Sequence, residues 1–518
     1  MARDHTWARM ADSQHSLPLP PQDPEVVAAA DLGSNSFHLV VAEVRGGQLV
    51  FVDRRKEFVR LAAGLDERKR LTPEATSRAL DCLGRFGERV RSFPQGTVRV
   101  VGTNTLRQAR NARDLLEAAQ RSLGHPVEIV SGLEEARLIY LGVSRSLAGD
   151  ERRLVVDIGG GSTELIVGEG SRPLDLESLY MGCVSFSLRH FPNVRVKEKR
   201  WQRAEIAALQ ELEPVERRFR NGAGWRVAVG SSGTVRSVAE VVQAAGWCEE
   251  GITLEALLRL RDLLIERGTT MRGGIKGLSE GRAPVFAGGV AVLLAVFKAL
   301  GIERMRVAGG ALREGALYDL LGRLHHEDTR HAAVESMARR YHVQPEQAER
   351  VRETVLQLLE QCADAWNLTG QLPWLMLSWG AQLHEVGLDI NHAGFHKHGA
   401  YIVENAEMHG FSLQEHLLLA SLVRSHRRKF PRQIFDRLPS GWRQPARRGA
   451  VLLRLAAVLH RSRRDDPLDV KLEVDGRDLR LVLSKAWLEK SPLTRADLRQ
   501  EAKYLAAAKY RLTVEEDG

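Results

Sequence analysis

Two copies of one short pattern, 126 residues apart, constrain the fold of this 518-residue chain more than any other feature. The first copy is an apolar run at 26–30 that meets the turn DLGSNS at 31–36 and continues into a second apolar run. The second copy is an apolar run at 154–156, the turn DIGGGSTE at 157–164 and a further apolar run. Each copy predicts a strand, a tight turn and a strand. Two such units predict a duplicated α/β fold whose halves point a glycine- and hydroxyl-bearing turn into one shared cleft.

The other patterns divide the chain into a leader and four folded parts. A length of 518 residues predicts three or four domains at roughly 100 to 200 residues each. After about Gly315 the glycine-rich strand ends stop and helical patterns continue to about Arg464, and two apolar runs then flank the turn Asp475-Gly476. The predicted parts are a flexible leader at 1–24, a first α/β domain at 25–138, a second α/β domain at 139–315, a mainly helical domain at 316–465 and a small β-hairpin and helix unit at 466–518.

Cysteine usage and hydropathy predict a cytoplasmic protein. The four cysteines lie far apart and match no paired metal-binding spacing, as expected in a reducing compartment. The longest apolar run, at 285–297, contains two glycines and is shorter than the ~20 residues of a membrane-spanning helix. This run therefore predicts a buried helix.

Positive charge is concentrated in one segment, residues 421–470, which we call the basic stripe. It holds 13 Arg or Lys against 4 Asp, so it carries the whole chain's net charge of +9. A stripe of this kind predicts an anionic partner such as polyphosphate, nucleic acid or a membrane surface, and a solvated basic face is the alternative. Few aromatic residues interleave with these arginines, which disfavours specific nucleic-acid binding by base stacking.

Glycine turns at three strand ends indicate a phosphate ligand. The turns at 33–34, 159–163 and 230–234 let backbone N–H groups and hydroxyls approach an anion, because glycine has no side chain in the way. One such turn alone is more often a plain tight turn. Three at the strand ends of one α/β region reinforce each other and predict a phosphate site.

Carboxylates flank two of these turns and suit a magnesium ion. Asp31 and Asp157 precede their turns and Glu164 follows the second, which provides hard oxygen ligands beside phosphate. For Asp31, holding the metal through water and orienting the turn remain equal alternatives. Arg107 is a candidate to clamp a phosphoryl group through two parallel hydrogen bonds.

Four motifs resemble the exopolyphosphatase and guanosine pentaphosphate phosphohydrolase family. They are DLGSNSFH at 31–38, GTNTLR at 102–107, GLEEAR at 132–137 and DIGGGSTE at 157–164. The resemblance continues through segments at 181–185, 230–234 and 309–315 and the helical region near His384, so it spans nearly the whole chain. It implies the sugar-kinase and actin superfold, which is ribonuclease H-like, for the two α/β domains, with phosphate held between them, magnesium as cofactor and a homodimer as the assembly.

The resemblance also implies which residues act. A glutamate that activates water falls on Glu135, and the chemistry supports it, because phosphoanhydride hydrolysis needs a positioned water and charge neutralisation but little covalent help. The adjacent Glu134 is predicted to be a surface helix residue that completes a cap with Ser131. The predicted phosphate-binding residues are Ser34, Asn35, Thr103, Arg107, Gly160, Gly161, Ser162, Thr163, Gly230, Ser231, Ser232, Gly233 and Thr234.

Histidines are frequent in the predicted helical domain. They are His384, His392, His396, His398, His409, His416 and His426. The region resembles the histidine–aspartate metal phosphohydrolases, but their pattern has an aspartate directly after the central histidine, whereas Glu385 follows His384. The resemblance therefore implies an HD-like fold without that metal activity, and it predicts structural histidines or anion contacts. A candidate polyanion track near His426 consists of Arg424, Arg427, Arg428 and Lys429.

The predicted function is hydrolysis of terminal phosphoanhydride bonds. Inorganic polyphosphate is the favoured substrate, because a basic stripe suits an extended polyanion, and guanosine pentaphosphate is the alternative substrate for the same site. An ATPase of the actin or sugar-kinase class is the alternative that follows from fold alone. The setting of Glu135 and the lack of an obvious sugar pocket argue against it.

Overall fold

A computed structural model describes residues 26–45, 48–147, 149–220, 224–271, 274–325 and 327–517. The predicted leader at 1–24 lies outside these residues. The chain divides into two compact units, an N-terminal unit at Gln22–Glu327 and a C-terminal unit that includes Asp328–Gly518.

The N-terminal unit alternates strands and helices. Its strands are β1 (Val26–Leu32), β2 (Phe37–Arg45), β3 (Gln48–Glu57), β4 (Val98–Gly102), β5 (Val127–Ile129), β6 (Arg153–Ile158), β7 (Thr163–Glu169), β8 (Arg172–Leu179), β9 (Val227–Ser231), β10 (Ile252–Thr253) and β11 (Arg304–Val307). Its helices are α1 (Pro73–Val90), α2 (Asn104–Gln108), α3 (Ala112–Leu123), α4 (Gly132–Ser146), α5 (Cys183–His190), α6 (Glu198–Leu212), α7 (Glu216–Phe219), α8 (Ser232–Ala244), α9 (Leu254–Arg267), α10 (Ala283–Leu300) and α11 (Leu312–Leu324).

Two mixed sheets of matching topology form two lobes. The first sheet has the order β3-β2-β1-β4-β5, and the second has the order β10-β11-β9-β6-β7-β8. In each lobe the first three strands run antiparallel to one another and the next strand joins the first in parallel. Central strands β1 and β6 are nearly continuous apolar runs because both faces of the sheet are covered. The duplicated α/β fold predicted from the two turns is confirmed.

The parallel pairs bring the predicted site residues to one edge of each sheet. Asp31 at the end of β1 lies opposite Val101 of β4, and Asp157 of β6 lies opposite Ser231 of β9. The carboxyl ends of parallel strands therefore present the turns after β1, β4, β6 and β9 together, where open α/β sheets bind ligands.

The two predicted domain boundaries inside the N-terminal unit fall within helices α4 and α11, which pack closely against each other. A Cβ at Gly142 would lie 2.1 Å from the carbonyl oxygen of Ala311, so only glycine permits this approach. The predicted boundary at 138/139 falls within α4, and that at 315/316 falls within α11. The chain instead divides at Asp328, because α11 packs on α4 and β1 of the first lobe.

A buried ion network fixes α11 to the first lobe. Arg99 and Arg137 both pair with Asp319 of α11, and Arg137 also donates two hydrogen bonds of 2.8 Å to Glu134. Burial alone raises the pKa of Asp319, but Arg137 and Arg99 hold it well below its usual range. Removing one partner would strand a buried charge, which typically costs about 3 to 5 kcal/mol.

The most apolar helix of the N-terminal unit is a core element. Among the described residues, α10 is the one helix long and apolar enough to cross a membrane, with a mean hydropathy of 2.0. Of that stretch 83% is buried, and the helix packs against α5, α6 and α9 of the second lobe. The buried helix predicted from the apolar run is confirmed.

The C-terminal unit is mainly helical and ends in a small sheet. Its helices are α12 (Thr329–Arg340), α13 (Pro345–Cys362), α14 (Gln371–Leu383), α15 (Phe395–Asn405), α16 (Leu413–Ser425), α17 (Ser440–Leu459), α18 (Lys485–Lys490) and α19 (Pro492–Ala507), and its strands are β12 (Val470–Asp475), β13 (Asp478–Ser484) and β14 (Arg511–Asp517). The predicted hairpin is β12 and β13, and the sequence did not indicate β14, which pairs in parallel with β13.

The small sheet shares the core of the helices rather than having its own. Buried side chains of β12 and β13 belong to the same apolar cluster as those of α13 and α17. The Trp366 indole donates to the carbonyl of Gly476 at 3.1 Å, and the Gln361 amide donates to that of Val470 at 3.0 Å. The predicted separate unit at 466–518 is therefore part of one packed body with the helical segment.

Candidate active site

A cleft of about 520 Å³ opens at the strand ends of the N-terminal unit and is lined by both lobes. The first lobe contributes the turn after β1, the start of α2 and Glu135 of α4. The second lobe contributes the turn after β6 and one face of α8. Most of the lining is polar or charged, as expected for a site that binds an anion.

The predicted phosphate turns of the two lobes touch each other. A Cβ at Gly160 would lie 2.6 Å from the Cβ of Ser34, so only glycine lets the turns meet. The Thr105 hydroxyl donates to Ser34 Oγ at 2.8 Å and holds that side chain in place. The predicted residues brought to the cleft wall are Asp31, Ser34, Asn35, Thr103, Glu135, Asp157, Gly160, Ser162, Ser232 and Gly233.

Other predicted residues lie beneath the wall. Thr163 is fully buried and donates its hydroxyl to the carbonyl of Met181 at 2.6 Å. Gly230 packs against Val235 and Met305. Gly161, Ser231 and Thr234 also do not line the cleft, although Gly161 packs against Asn104, which does. The side chains of Thr163 and Thr234 are buried and do not line the cleft.

Four buried carboxylates interact with one another at the cleft wall and beneath it; they are Asp31, Glu135, Asp157 and Glu164. Asp157 and Glu164 are partners across the antiparallel pair β6 and β7, a geometry that places their side chains on one face. Glu164 does not line the cleft, but its charge acts on that of Asp157, and Glu135 acts on both. Ser178 Oγ donates to Glu164 Oε1 at 2.9 Å, while Glu164 Oε2 and Asp31 Oδ1 are buried without a hydrogen-bond partner.

Burial raises the pKa of all four carboxylates, and repulsion by neighbouring carboxylates adds to the rise at Asp31, Asp157 and Glu164. Burial and then Glu135 raise the pKa of Asp31 to about 8. Burial raises the pKa of Asp157 to about 6 despite a hydrogen bond from Ser231, and it raises the pKa of Glu164 well above its usual value. A bound cation would oppose these shifts, because it stabilises the ionised carboxylates.

The donor set at this point fits magnesium. Across the part of the chain that the structure describes, no group of three or more His, Cys, Asp or Glu side chains is arranged to hold a metal ion. Magnesium does not need such a group, since it usually keeps several waters and takes one or two carboxylates plus substrate phosphate oxygens. Asp31 and Glu164 each have one buried carboxylate oxygen without a hydrogen-bond partner, and the charge of Asp157 acts on both side chains. These oxygens are suitable ligands for a magnesium ion.

Glu135 and Arg107 form a polar pair beside the carboxylates. Arg107 Nη1 donates to Glu135 Oε2 at 3.0 Å and to the carbonyl of Val130 at 2.8 Å. Burial raises the pKa of Glu135, and Arg107 partly offsets the rise. Arg107 does not line the cleft, so the structure brings it to the candidate base rather than to the cleft surface.

The adjacent Glu134 differs from its prediction. Its backbone N–H is capped by Ser131 Oγ at 3.1 Å, as expected, but its side chain is buried rather than on the surface. The carboxylate faces Arg137 in the ion network described above. One helix turn thus directs Glu134 into the lobe and Glu135 into the cleft.

A cluster of basic residues in the cleft was not predicted. Its members are His38, Arg54, Lys56, Arg236, Arg282 and Arg313. Burial, then Arg282, Arg236 and Arg313, lower the pKa of Lys56. Burial and then Arg313 and Lys56 lower the pKa of His38 to about 3. Three members had a sequence signal: Arg236 follows the glycine turn by one helical turn of α8, and His38 and Arg313 lie in the family-like segments at 31–38 and 309–315. Arg54, Lys56 and Arg282 lie outside every motif.

The predicted track residues lie in the C-terminal unit, where Arg424 and Arg427 are partly buried and Arg428 and Lys429 are exposed. The Arg427 guanidinium covers the Phe395 ring with 4.4 Å to its centroid, and Arg428 has a left-handed backbone with φ of 63°. Burial lowers the pKa of Arg424 and of Arg427. Arg424, Arg427, Arg428 and Lys429 have no ion pair with any residue that the structure describes.

Two buried histidines near the track form hydrogen bonds with backbone carbonyl groups. His384 Nδ1 pairs with the carbonyl of Ala381 at 2.6 Å, and His426 Nδ1 pairs with that of Val423 at 2.6 Å. Burial lowers the pKa of both imidazoles, so both are neutral at physiological pH. Glu385 forms an ion pair of 2.5 Å with Arg463 instead of extending a metal site.

The lobes, the phosphate turns and the buried carboxylates together define a phosphatase with an actin-like two-domain core. Residues 40–324 match the Ppx/GppA phosphatase family, and residues 329–502 match domain III of Ppx/GppA phosphatases. The chain belongs to this family, whose members hydrolyse phosphoanhydride bonds.

Named relatives include both activities of the family. The chain is 42% identical over 475 residues to a guanosine-5'-triphosphate,3'-diphosphate pyrophosphatase of Aeromonas hydrophila, covering 92% of this chain and 95% of that protein. The chain is 26% identical to an exopolyphosphatase from Cytophaga hutchinsonii, whose crystal structure aligns with a TM-score of 0.53. The alignment covers 58% of this chain and 98% of the exopolyphosphatase chain. The solved structure of an exopolyphosphatase-like protein matches with the same identity and TM-score, and the alignment covers 58% of this chain and 99% of that protein's chain.

Proposed function

We propose that this phosphatase removes the terminal phosphoryl group from linear phosphate chains, with inorganic polyphosphate as the first candidate substrate. The observation that carries the proposal is the basic cluster in the cleft. Lys56, Arg236 and Arg282 have no ion pair with the described acidic residues, and their charges repel one another. A ligand with several consecutive negative charges relieves that repulsion at all of these positions at once.

The two phosphate turns are proposed to hold the end of the chain. Ser34 and Asn35 from the first lobe and Gly160 and Ser162 from the second lie side by side in the wall. Backbone N–H groups and hydroxyls at such turns suit a phosphoryl group whose charge is spread over its outer oxygens. The chain would then extend towards Arg236 and Lys56.

Glu135 is proposed as the general base that accepts a proton from the attacking water. Oε2 accepts a hydrogen bond from Arg107, so Oε1 is the oxygen left to take the proton. Burial raises the pKa of Glu135 and makes it a better base than an exposed carboxylate. Arg107 keeps the side chain oriented and ionised, and its role is therefore to position the base.

Magnesium is proposed as the cofactor, held by Asp157 and Glu164, with Asp31 as a direct or water-mediated third contact. When bound, it would neutralise charge on the phosphate oxygens. The carboxylates on their own repel a phosphate chain, so a cation between them and the substrate is required for tight binding.

Guanosine pentaphosphate is the second candidate substrate. The observation that favours it is the 42% identity over nearly the whole chain to a relative named for that pyrophosphatase activity. Its 5'-triphosphate has the same terminal phosphoanhydride as polyphosphate, so the same base and the same turns would serve. The two activities are compatible in one cleft.

A side-by-side assay tests the proposal. Phosphate release is measured from long polyphosphate, tripolyphosphate, guanosine pentaphosphate and ATP, with and without magnesium, for the wild type and for Glu135→Gln. We expect magnesium-dependent release from the first three that Glu135→Gln abolishes. Rapid turnover of ATP alone would contradict the proposal and favour the ATPase alternative.

A cytoplasmic homodimer is proposed as the working form. The described cysteines, Cys82, Cys183, Cys248 and Cys362, are all free thiols, as expected in a reducing compartment. Sedimentation of the full chain at several concentrations tests the dimer, and a single monomeric species would contradict it.

A further inference from the structure

One face of helix α8 runs along the cleft. Ser232, Gly233, Arg236, Ser237 and Glu240 all line it, at the spacing of three to four residues that places side chains on one helix face. Ser232 and Gly233 form the helix N-terminus, where backbone N–H groups attract phosphate. Glu240 lies two turns further on, about 12 Å along the axis at 1.5 Å per residue.

Glu240 has a charge of the wrong sign for a site that binds only phosphate. The other carboxylates in the wall are Asp31 and Asp157 at strand ends and Glu135 in the first turn of α4, whereas Glu240 lies on α8. Its side chain is exposed and has no ion pair within 4 Å of it among the residues that the structure describes. Its charge acts on Lys56 across the cleft, yet a polyphosphate chain following the basic cluster would be repelled at this point.

A carboxylate at that position suits a ligand with hydrogen-bond donors beyond its phosphates. A carboxylate only accepts hydrogen bonds, through two oxygens side by side. Guanine has two adjacent donors, N1–H and the N2 amino group, which match those oxygens, whereas adenine has an acceptor at N1. A phosphate chain and a ribose separate the terminal phosphoryl group from the base, a span comparable to the two helical turns of α8.

We infer that Glu240 recognises the guanine base of a nucleotide whose terminal phosphate lies at the turns and whose phosphate chain follows α8 past Arg236. This inference rests on the proposed function, and specifically on guanosine pentaphosphate as a substrate. Glu240 is a specificity residue, because it contacts the base rather than the reacting phosphoryl group. The same carboxylate disfavours inorganic polyphosphate, so one residue sets the balance between the two candidate substrates.

The test compares substrates that differ only at the base. The value of kcat/KM is measured for guanosine pentaphosphate, for its inosine analogue, which lacks the N2 amino group, and for tripolyphosphate. Glu240→Gln is expected to lose about 10- to 100-fold on guanosine pentaphosphate, the usual effect of losing hydrogen bonds to a charged group. The wild type is expected to prefer guanine over inosine, Glu240→Gln is expected to lose that preference, and tripolyphosphate hydrolysis is expected to rise.

A matched control is Glu266→Gln, which removes an exposed carboxylate from α9 outside the cleft wall. It is expected to leave all three substrates unchanged. Retention of the wild-type preference for guanine by Glu240→Gln would overturn the inference while leaving the proposed hydrolysis intact.

A binding measurement decides the case in which the wild type releases no phosphate from guanosine pentaphosphate. Calorimetry with the Glu135→Gln chain is then compared with calorimetry of the Glu135→Gln, Glu240→Gln double variant. Guanine-dependent binding that disappears in the double variant supports Glu240 even though the proposed function fails. Binding that is absent, or equal for guanine and inosine, overturns the inference.

Discussion

The cleft of the N-terminal unit and the basic stripe of the C-terminal unit are both rich in arginine, but their charges are arranged differently. In the cleft, Lys56, Arg236 and Arg282 face one another and form no ion pair with any described acidic residue. In the stripe, several arginines are neutralised by nearby carboxylates, as in the 2.9 Å pair of Arg447 with Asp436 and the 2.8 Å pair of Arg461 with Asp497. Net charge along the sequence is therefore a poor measure of local electrostatic potential, which depends on the charged partners that folding brings together.

The largest expected effect comes from replacing Glu135, the proposed general base. Glu135→Gln keeps a hydrogen bond to Arg107 but cannot accept a proton, so kcat should fall by about 10²- to 10⁴-fold while substrate binding is retained. Steady-state kinetics and calorimetry with tripolyphosphate measure the two quantities separately. Full activity in this variant would assign the base to another residue.

The next effect concerns the unpaired cations of the cleft. Arg236→Gln should lower kcat/KM for tripolyphosphate by about 10- to 100-fold, because a half-buried guanidinium loses charge-assisted hydrogen bonds to phosphate. Arg447→Gln is the matched control in the stripe, since its charge is already paired with Asp436. Equal losses of kcat/KM in the two variants would contradict the expectation that only the unpaired cleft arginine binds substrate.

Magnesium binding should depend on pH. The pKa of Asp31 is raised to about 8 and that of Asp157 to about 6, so protons compete with the metal below those values. The magnesium concentration for half-maximal activity should therefore fall as pH rises from 6 to 8. Glu164→Gln should raise that concentration by about tenfold at pH 8, and an unchanged titration would remove Glu164 from the metal site.

The same carboxylates should destabilise the metal-free protein at higher pH. Because their folded-state pKa values lie above those of the unfolded chain, the folded state binds more protons and its free energy of unfolding falls as pH rises from about 4 to 8. Asp31→Asn should flatten this dependence between pH 6 and 8. Thermal denaturation in the presence of a chelator measures it, and equal slopes in the two proteins would contradict the raised pKa of Asp31.

The smallest expected effect is on the track. Arg424→Gln with Arg427→Gln should weaken hydrolysis of long polyphosphate by a few-fold at low salt and leave tripolyphosphate unchanged, because only a long chain extends past the cleft. The loss should shrink as salt screens the contacts. Point variants are preferable to truncation, because a cut near Gly315 would divide α11 and separate Asp319 from Arg99 and Arg137. Equal losses on short and long chains would disprove the track.

The local pattern of the sequence determined the topology and part of the site. The repeated turn at Asp31 and Asp157 predicted the duplicated lobes, since a strand, a glycine turn and a strand are local features. The resemblance of the motif at 132–137 to the family singled out Glu135, which lines the cleft. The apolar run at 285–297 predicted the buried helix α10. All three predictions depend on residues that are close together in the chain.

Only the tertiary structure decided which distant residues became neighbours. Lys56, Arg236 and Arg282 are separated by up to 226 positions, and nothing in their local sequence shows that they meet in one cleft. Long-range packing also made Glu134 part of a buried ion network, because Arg137 and Asp319 lie against it. It decided the domain boundary too, since α11 packs back onto the first lobe. Periodicity and turn chemistry act over a few residues, whereas electrostatic potential and burial are sums over everything that folding brings within reach.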